Sequence, residues 1–137
     1  MSAVQQGVWR AHRLEPDDPR FTVAATLTVR GGPDPGVFAE ALRLVFRAAE
    51  ALHVRVEEDG DGPWLVPVDP AGWSPDRVDL SGEADPAEAA RSFVAADLTR
   101  PLDPEAGPPF AETLLLAGPD TVVWYHRAHH LVLDATG

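Results

Sequence analysis

The sequence contains no cysteine and no lysine among its 137 residues. The absence of cysteine excludes disulfide bonds and any metal site built from thiolates. No apolar run reaches the length of about 18 residues that a membrane-spanning helix requires. The N-terminus shows no basic region followed by an apolar stretch, so we expect no membrane partner and a cytoplasmic location. The net charge of -11 disfavours nucleic acid as a partner, because phosphate binding requires a basic surface.

The patterning of the chain predicts one domain that contains both helices and strands. A hydrophobic fraction of 45% over 137 residues is sufficient for a globular core. The predicted helices span residues 2–12, 35–50 and 86–99, and the predicted strands span 21–30, 54–56, 64–68, 77–80, 110–116 and 122–128. This order lacks a strict βαβ rhythm. It favours an α+β fold in which helices pack on a mainly antiparallel sheet.

Local signals predict where the helices begin and which faces they bury. Asp34 followed by Pro35 is typical of an N-cap and a first helical position. The predicted buried faces are Val4, Val8 and Trp9 in the first helix, and Ala89, Ala90, Phe93 and Ala96 in the third. Asp97 is predicted to face solvent. Residues 21–30 alternate between apolar and polar side chains, which predicts a half-buried strand.

Histidines at the end of the last predicted strand are the candidate site. The strand 122–128 runs directly into His129 and His130, and Asp134 follows four positions later. An imidazole at a strand end is rigidly held and accepts a proton near neutral pH. On chemistry alone, a surface cluster or satisfied core histidines remain alternatives. A metal site is not expected, because His126 and His130 lie about 13 Å apart along an extended strand.

The segment His129 to Asp134 resembles the His-His-x-x-x-Asp signature of condensation domains of nonribosomal peptide synthetases, which chloramphenicol-acetyltransferase-like enzymes share. Three further segments are similar to family segments in the same order: residues 2–9, residues 48–56, and residues 97–110 with their proline-rich loop. The resemblance therefore covers nearly the whole chain. It implies a chloramphenicol-acetyltransferase-like lobe as the fold.

Several positions depart from the family pattern around the signature. Ala48 and Ala49 replace an Arg-His pair, and His53 replaces an arginine that helps to hold the active-site aspartate in family members. Arg55 lies close by in sequence and is expected to serve instead. Ala135 replaces a glycine; if that position needs a positive φ, alanine costs about 1–2 kcal/mol.

The resemblance implies an acyltransferase that forms an amide bond between two carrier-bound thioesters. By position, His130 matches the catalytic histidine, which acts as a general base or positions the amine. His129 matches the structural histidine, and Asp134 matches an aspartate that holds the loop by an ion pair. The resemblance implies no bound cofactor or metal, because the substrates arrive on the phosphopantetheine arms of partner proteins.

The same resemblance implies the partners and the boundaries of the unit. Residues 1–137 are expected to be the N-terminal lobe of a condensation domain, truncated after the active-site segment and inactive alone. Its expected partners are donor and acceptor carrier domains, the C-terminal lobe and an adjacent adenylation domain. The alternatives are an epimerization domain, a free-standing acyltransferase of the same superfamily and a non-catalytic docking or scaffold domain.

Overall fold

The computed structural model describes residues 1–133. The helices are α1 (Ala3–Leu14), α2 (Pro35–Ala48) and α3 (Pro86–Asp97), with short 3-10 turns at Pro19–Phe21 and Glu50–Leu52. The strands are β1 (Thr22–Arg30), β2 (Val54–Asp59), β3 (Gly62–Pro67), β4 (Asp76–Asp79), β5 (Phe110–Leu116) and β6 (Thr121–His129). Every predicted element is present. The main differences in extent are a longer α1 and a 3-10 turn in place of the end of α2.

The strands form one sheet of four and a separate hairpin. The order in the larger sheet is β1-β6-β5-β4; β6 pairs antiparallel with both β1 and β5, whereas β4 pairs parallel with β5. The parallel pair arises because α3 crosses over between β4 and β5. β2 and β3 form the antiparallel hairpin, and Gly62 at its turn adopts a φ of 110°. The prediction of a mainly antiparallel α+β fold is confirmed.

The N-caps of α2 and α3 explain where these helices begin. The Asp34 carboxylate accepts hydrogen bonds from the amides of Gly36 at 2.7 Å and Val37 at 2.9 Å. The Asp85 carboxylate accepts one from the amide of Glu88 at 2.9 Å. In each helix a proline follows the cap at the first helical position, where no amide hydrogen is needed.

The buried face of α1 differs from the prediction. Val4 is 78% exposed, and the two buried residues of the helix are Trp9 and His12. A capping box between Ser2 and Gln5 starts the helix at Ala3, one residue before Val4. The prediction is confirmed for Trp9 and for Val8, which packs partly buried beside it, but it was wrong for Val4 and omitted His12.

Helices α2 and α3 cover opposite faces of the four-stranded sheet. Adjacent residues of β5 point to opposite faces, so Leu114 packs in the cluster under α2 and Leu115 in the cluster under α3. The α2 cluster contains Ala39, Leu42, Phe46, Leu52, Phe110, Leu114, Val122 and Ala128. The α3 cluster contains Leu80, Ala90 and Leu115. The sheet is therefore the centre of the core.

The predicted orientation of the C-terminal end of α3 was also wrong. Ala96 is exposed, whereas the Asp97 side chain is only 12% exposed and lies 3.0 Å from Nε of Arg127. Nη1 of Arg127 donates to the carbonyls of Asp97 and Arg100, at 3.2 and 2.8 Å. Asp97 faces the sheet because β6 presents a cation there. This ion pair fixes the end of α3 on β6.

Strand β1 is more exposed than a half-buried strand would be. Residues 24–28 are all exposed, and Leu27 is 54% exposed. β1 is an edge strand of the sheet, and only its two ends carry partly covered side chains such as Val23 and Val29. Within residues 1–133, no helix has the length and apolar character needed to cross a bilayer.

Candidate active site

The histidine pair lies where β6 leaves the centre of the sheet. Ala128 is paired with Val23 of β1 on one side and with Phe110 of β5 on the other. The next amides continue these contacts: the amide of His129 donates to the carbonyl of Pro109 at 2.8 Å, and that of His130 donates to Phe21 at 2.7 Å. The backbone that presents both histidines is thus held from both neighbouring strands.

The two adjacent histidines have opposite environments. His129 is 1% exposed, whereas His130 is exposed. The His129 ring is stacked with Phe21 at a centroid distance of 5.9 Å and meets the His12 ring edge-on at 4.9 Å. Of the two, only His130 is available to a substrate, so the structure separates a packed histidine from an accessible one.

The hydrogen bonds of His129 define its tautomer. The amide of Leu131 donates to Nδ1 at 3.0 Å, so that nitrogen carries no proton and the ring hydrogen is on Nε2. Nε2 in turn points at Nδ1 of His12, 3.4 Å away. Burial first, and then the neighbouring His12 and His130, lower the pKa of His129 from about 6.5 to about 4. His129 is therefore neutral at physiological pH.

We expect the stability of the complete domain to fall on acidification because of His129. Between its ordinary pKa of about 6.5 and its folded pKa of about 4, the unfolded chain binds a proton that the folded chain rejects. The contribution of neutral His129 to the free energy of unfolding is therefore fully present above pH 6.5. Up to about 3 kcal/mol of that free energy is lost by pH 4. Free energies of unfolding in urea, measured between pH 7 and pH 4, test this expectation.

The matched control is His129→Asn, which does not titrate but retains an oxygen able to accept from the Leu131 amide. Its unfolding free energy should decline less over the same pH range. Burial also lowers the pKa of His12, so some decline remains in the variant. The raised pKa of Glu112 makes the folded state more stable on acidification. Because this effect is the same in both proteins, it cancels when their pH profiles are compared. Parallel pH profiles for the two proteins would contradict the assignment to His129.

A buried carboxylate on the other side of β6 was not predicted from the sequence. Glu112 of β5 lies directly opposite His126 of β6, and its side chain is fully buried. Trp124 Nε1 donates to one carboxylate oxygen at 2.5 Å, and His126 Nδ1 donates to the other. Burial raises the pKa of Glu112, and the two hydrogen bonds partly oppose that shift. The β5–β6 register is the signal that would have predicted this pair.

The comparison with known families decides what kind of domain this geometry belongs to. A model of the condensation domain family matches residues 1–137. The chain belongs to the condensation domain family.

Similar proteins support this membership in sequence and in structure. The chain is 40% identical over 141 residues to dimodular nonribosomal peptide synthase of Bacillus subtilis (strain 168), covering 100% of this chain and 6% of that protein. It is 36% identical over 136 residues to isonitrile lipopeptide synthase of Streptomyces coeruleorubidus, covering 98% of this chain and 9% of that protein.

Among solved structures, a variant of the starter condensation domain of rhizomide synthetase RzmA in complex with C8-CoA is similar, with a TM-score of 0.90 and 36% identity. The match covers 98% of this chain and 31% of that chain. This condensation chain therefore spans less than a tenth of those two synthetases and about a third of the solved domain. The expected chloramphenicol-acetyltransferase-like fold is confirmed.

The remaining predicted site residues of this condensation chain have different surroundings. Arg55 forms an ion pair through Nη2 with Glu57 on the same strand. His53, at the family's arginine position, is buried, and its Nε2 donates to the carbonyl of Phe46. Asp134 and Ala135 lie outside the described residues. Among residues 1–133, no group of three or more histidine or carboxylate side chains is arranged to hold a metal ion.

Proposed function

We propose that this chain forms the N-terminal lobe of a condensation domain that joins two carrier-bound thioesters through an amide bond. The observation that carries the proposal is the exposure of His130 at the end of β6, with the backbone fixed on both sides, in a chain that matches the condensation family along its whole length. A fixed backbone with an exposed imidazole is the arrangement that proton transfer to or from a substrate amine requires.

His130 is the proposed catalytic residue. The acceptor amine attacks the carbonyl carbon of the donor thioester, the carbon–sulfur bond breaks, and the phosphopantetheine arm of the donor carrier leaves as a thiolate, which becomes a thiol by taking up the proton that the amine releases. The amine loses one proton as the amide forms, and His130 is placed to accept it or to orient the amine for attack. His129 is proposed to be structural, since its ring is buried and both nitrogens have partners.

Asp134 is proposed to hold the active-site loop through an ion pair with Arg55. The ion pair of Arg55 with Glu57 uses Nη2, and a guanidinium has five N–H donors. Contacts of Arg55 with Glu57 and with Asp134 are therefore compatible. In this proposal Asp134 acts on the position of His130 and carries no proton during the reaction.

The proposed substrates arrive on phosphopantetheine arms of donor and acceptor carrier domains, and no cofactor is bound by the lobe itself. The similar starter condensation domain was solved with C8-CoA, an acyl thioester of a phosphopantetheine-containing carrier. The further proposed partners are the C-terminal lobe, which completes the cleft, and an adjacent adenylation domain that supplies the activated acceptor.

The proposal is tested by a condensation assay on the complete synthetase that contains this chain. The donor carrier is loaded with an acyl or aminoacyl group and the acceptor carrier with an amino acid, and the acceptor carrier is followed by intact-protein mass spectrometry. We expect the acceptor mass to increase by the donor acyl group. Residues 1–137 alone should give no product, because half of a cleft neither excludes water nor holds both arms.

The same assay in deuterated water separates condensation from epimerization and from a docking or scaffold role. An epimerization domain would incorporate deuterium at the α-carbon of the carrier-bound residue without forming an amide. A docking or scaffold domain would do neither, while still binding the loaded carriers. Either result would refute amide formation as the activity of this domain.

A further inference from the structure

Helix α1 presents three side chains to the turn that carries His130. Gln5, Trp9 and His12 are spaced by four and three residues and therefore share one helix face. Nε2 of Gln5 donates to the carbonyl of Leu131 at 3.1 Å. Trp9 packs with Leu131 in a buried cluster, and His12 meets His129. Three successive contacts of one helix thus support the residues on either side of His130.

The contact between His12 and His129 selects one tautomer of His129. Nδ1 of His129 must be free of a proton to accept from the Leu131 amide, and that requires a partner for the hydrogen on Nε2. The nearest acceptor is Nδ1 of His12, at 3.4 Å, in a site where both rings are buried. Without that acceptor, the buried Nε2–H would lose its partner, and the cost of leaving it unpaired would offset the Leu131 bond that favours this tautomer.

The position of His130 depends on this tautomer through the backbone. The Leu131 amide follows His130 directly, and its bond to Nδ1 of His129 closes the turn around His130. The amide of His130 donates to the carbonyl of Phe21, directly before β1, so the residue is fixed on its N-terminal side by Phe21 and on its C-terminal side by His129. A change at His12 therefore reaches His130 without contact between the two side chains.

We propose that His12 is a positioning residue, which sets the geometry of His130 by holding His129 in the tautomer that accepts the Leu131 amide. The proposal rests on the proposed function of His130. Gln5 and Trp9 complete the same support from α1. The sequence did not single out His12, because a histidine in an amphipathic helix has the pattern of a solvated side chain.

The test compares His12→Leu with His12→Asn in the complete synthetase. Leucine fills the site but accepts no hydrogen bond, whereas the asparagine oxygen lies close to the position of Nδ1. We expect kcat for amide formation to fall about 10- to 100-fold in His12→Leu, with KM for both loaded carriers unchanged, because misplacement of the reacting group affects the chemical step. His12→Asn should recover most of kcat.

The stability control is Leu80→Ala, which removes a buried side chain from the α3 cluster on a part of the sheet that does not contact the turn. A kcat loss in His12→Leu that exceeds the loss in an equally destabilised Leu80→Ala protein supports the proposal. Equal losses would overturn it.

A second readout does not depend on activity. In protein labelled with ¹⁵N at histidine, the ring nitrogens of His129 report the tautomer directly. We expect a proton on Nε2 in the wild type and in His12→Asn, and a mixed signal in His12→Leu. A proton on Nδ1 in the wild type, or an unchanged signal in His12→Leu, would overturn the role of His12. Because this signal is independent of amide formation, it distinguishes failure of this proposal from failure of the proposed function.

Discussion

Replacement of His130 by alanine should lower the rate of amide formation by about 10²- to 10⁴-fold, the range typical for loss of a positioned acid or base. The side chain is exposed and makes no packing contribution to the core clusters, so folding should be preserved. The measurement is single-turnover transfer between loaded carriers in the complete synthetase, with thermal unfolding measured on the same samples. Substitution at such a surface position changes stability by about 0.5 kcal/mol or less.

The glutamine variant of His130 distinguishes the two possible roles of the residue. Glutamine retains hydrogen-bonding groups but does not accept a proton at neutral pH. A rate close to wild type would assign His130 to orientation of the amine, and a loss equal to that of alanine would assign it to proton transfer. Full activity of His130→Ala would remove His130 from the mechanism altogether.

Replacement of His126 by leucine should destabilise the complete domain by about 3 kcal/mol. The change leaves the fully buried Glu112 carboxylate with Trp124 as its remaining partner, and an unpaired buried charge is costly. The double variant Glu112→Leu with His126→Leu should recover most of that loss, because apolar side chains of similar volume replace a buried pair at little cost. Unfolding in urea gives the four free energies of the cycle.

The control for this cycle is the exposed pair of Glu88 and Arg91 on α3. The Arg91→Leu variant should lose less than about 1 kcal/mol of unfolding free energy, because exposed ion pairs are screened by solvent. A coupling energy near zero between positions 112 and 126, similar to that of the exposed pair, would show that the buried pair does not contribute as its geometry indicates.

Local signals in the sequence were sufficient for the extents of most elements. Asp34 with Pro35 and Asp85 with Pro86 satisfy free amides within a few residues of themselves, so the helix starts could be predicted from neighbours in the chain. The β2–β3 hairpin is also a local feature, since its turn needs the positive φ of 110° that Gly62 adopts. The order of the elements predicted the α+β class, and the family resemblance then predicted the chloramphenicol-acetyltransferase-like lobe and a role for the region around His130.

Contacts between distant residues account for what the sequence did not predict. Asp97 has the pattern of a solvated residue until Arg127, thirty positions later, is placed beneath it by β6. No local sequence pattern around Glu112 or His126 predicts a buried pair. The two side chains meet only because the β5–β6 register places them opposite each other. His12 is buried because His129, 117 positions later, packs against it together with Phe21.

The support that α1 gives to the turn at His130 has a consequence for the order of folding. Its hydrogen bonds join residues 126 and 117 positions apart, and the entropy cost of closing a loop grows with its length. The turn also needs Phe21 and Pro109 in place, so it reaches its native form only after β1, β5 and β6 are aligned. Chains with a fully assembled sheet but an open turn are therefore expected intermediates. In such molecules the spectroscopic signals of secondary structure are native while His130 is not yet in its native position, so recovery of the His130 environment should lag behind recovery of secondary structure during refolding.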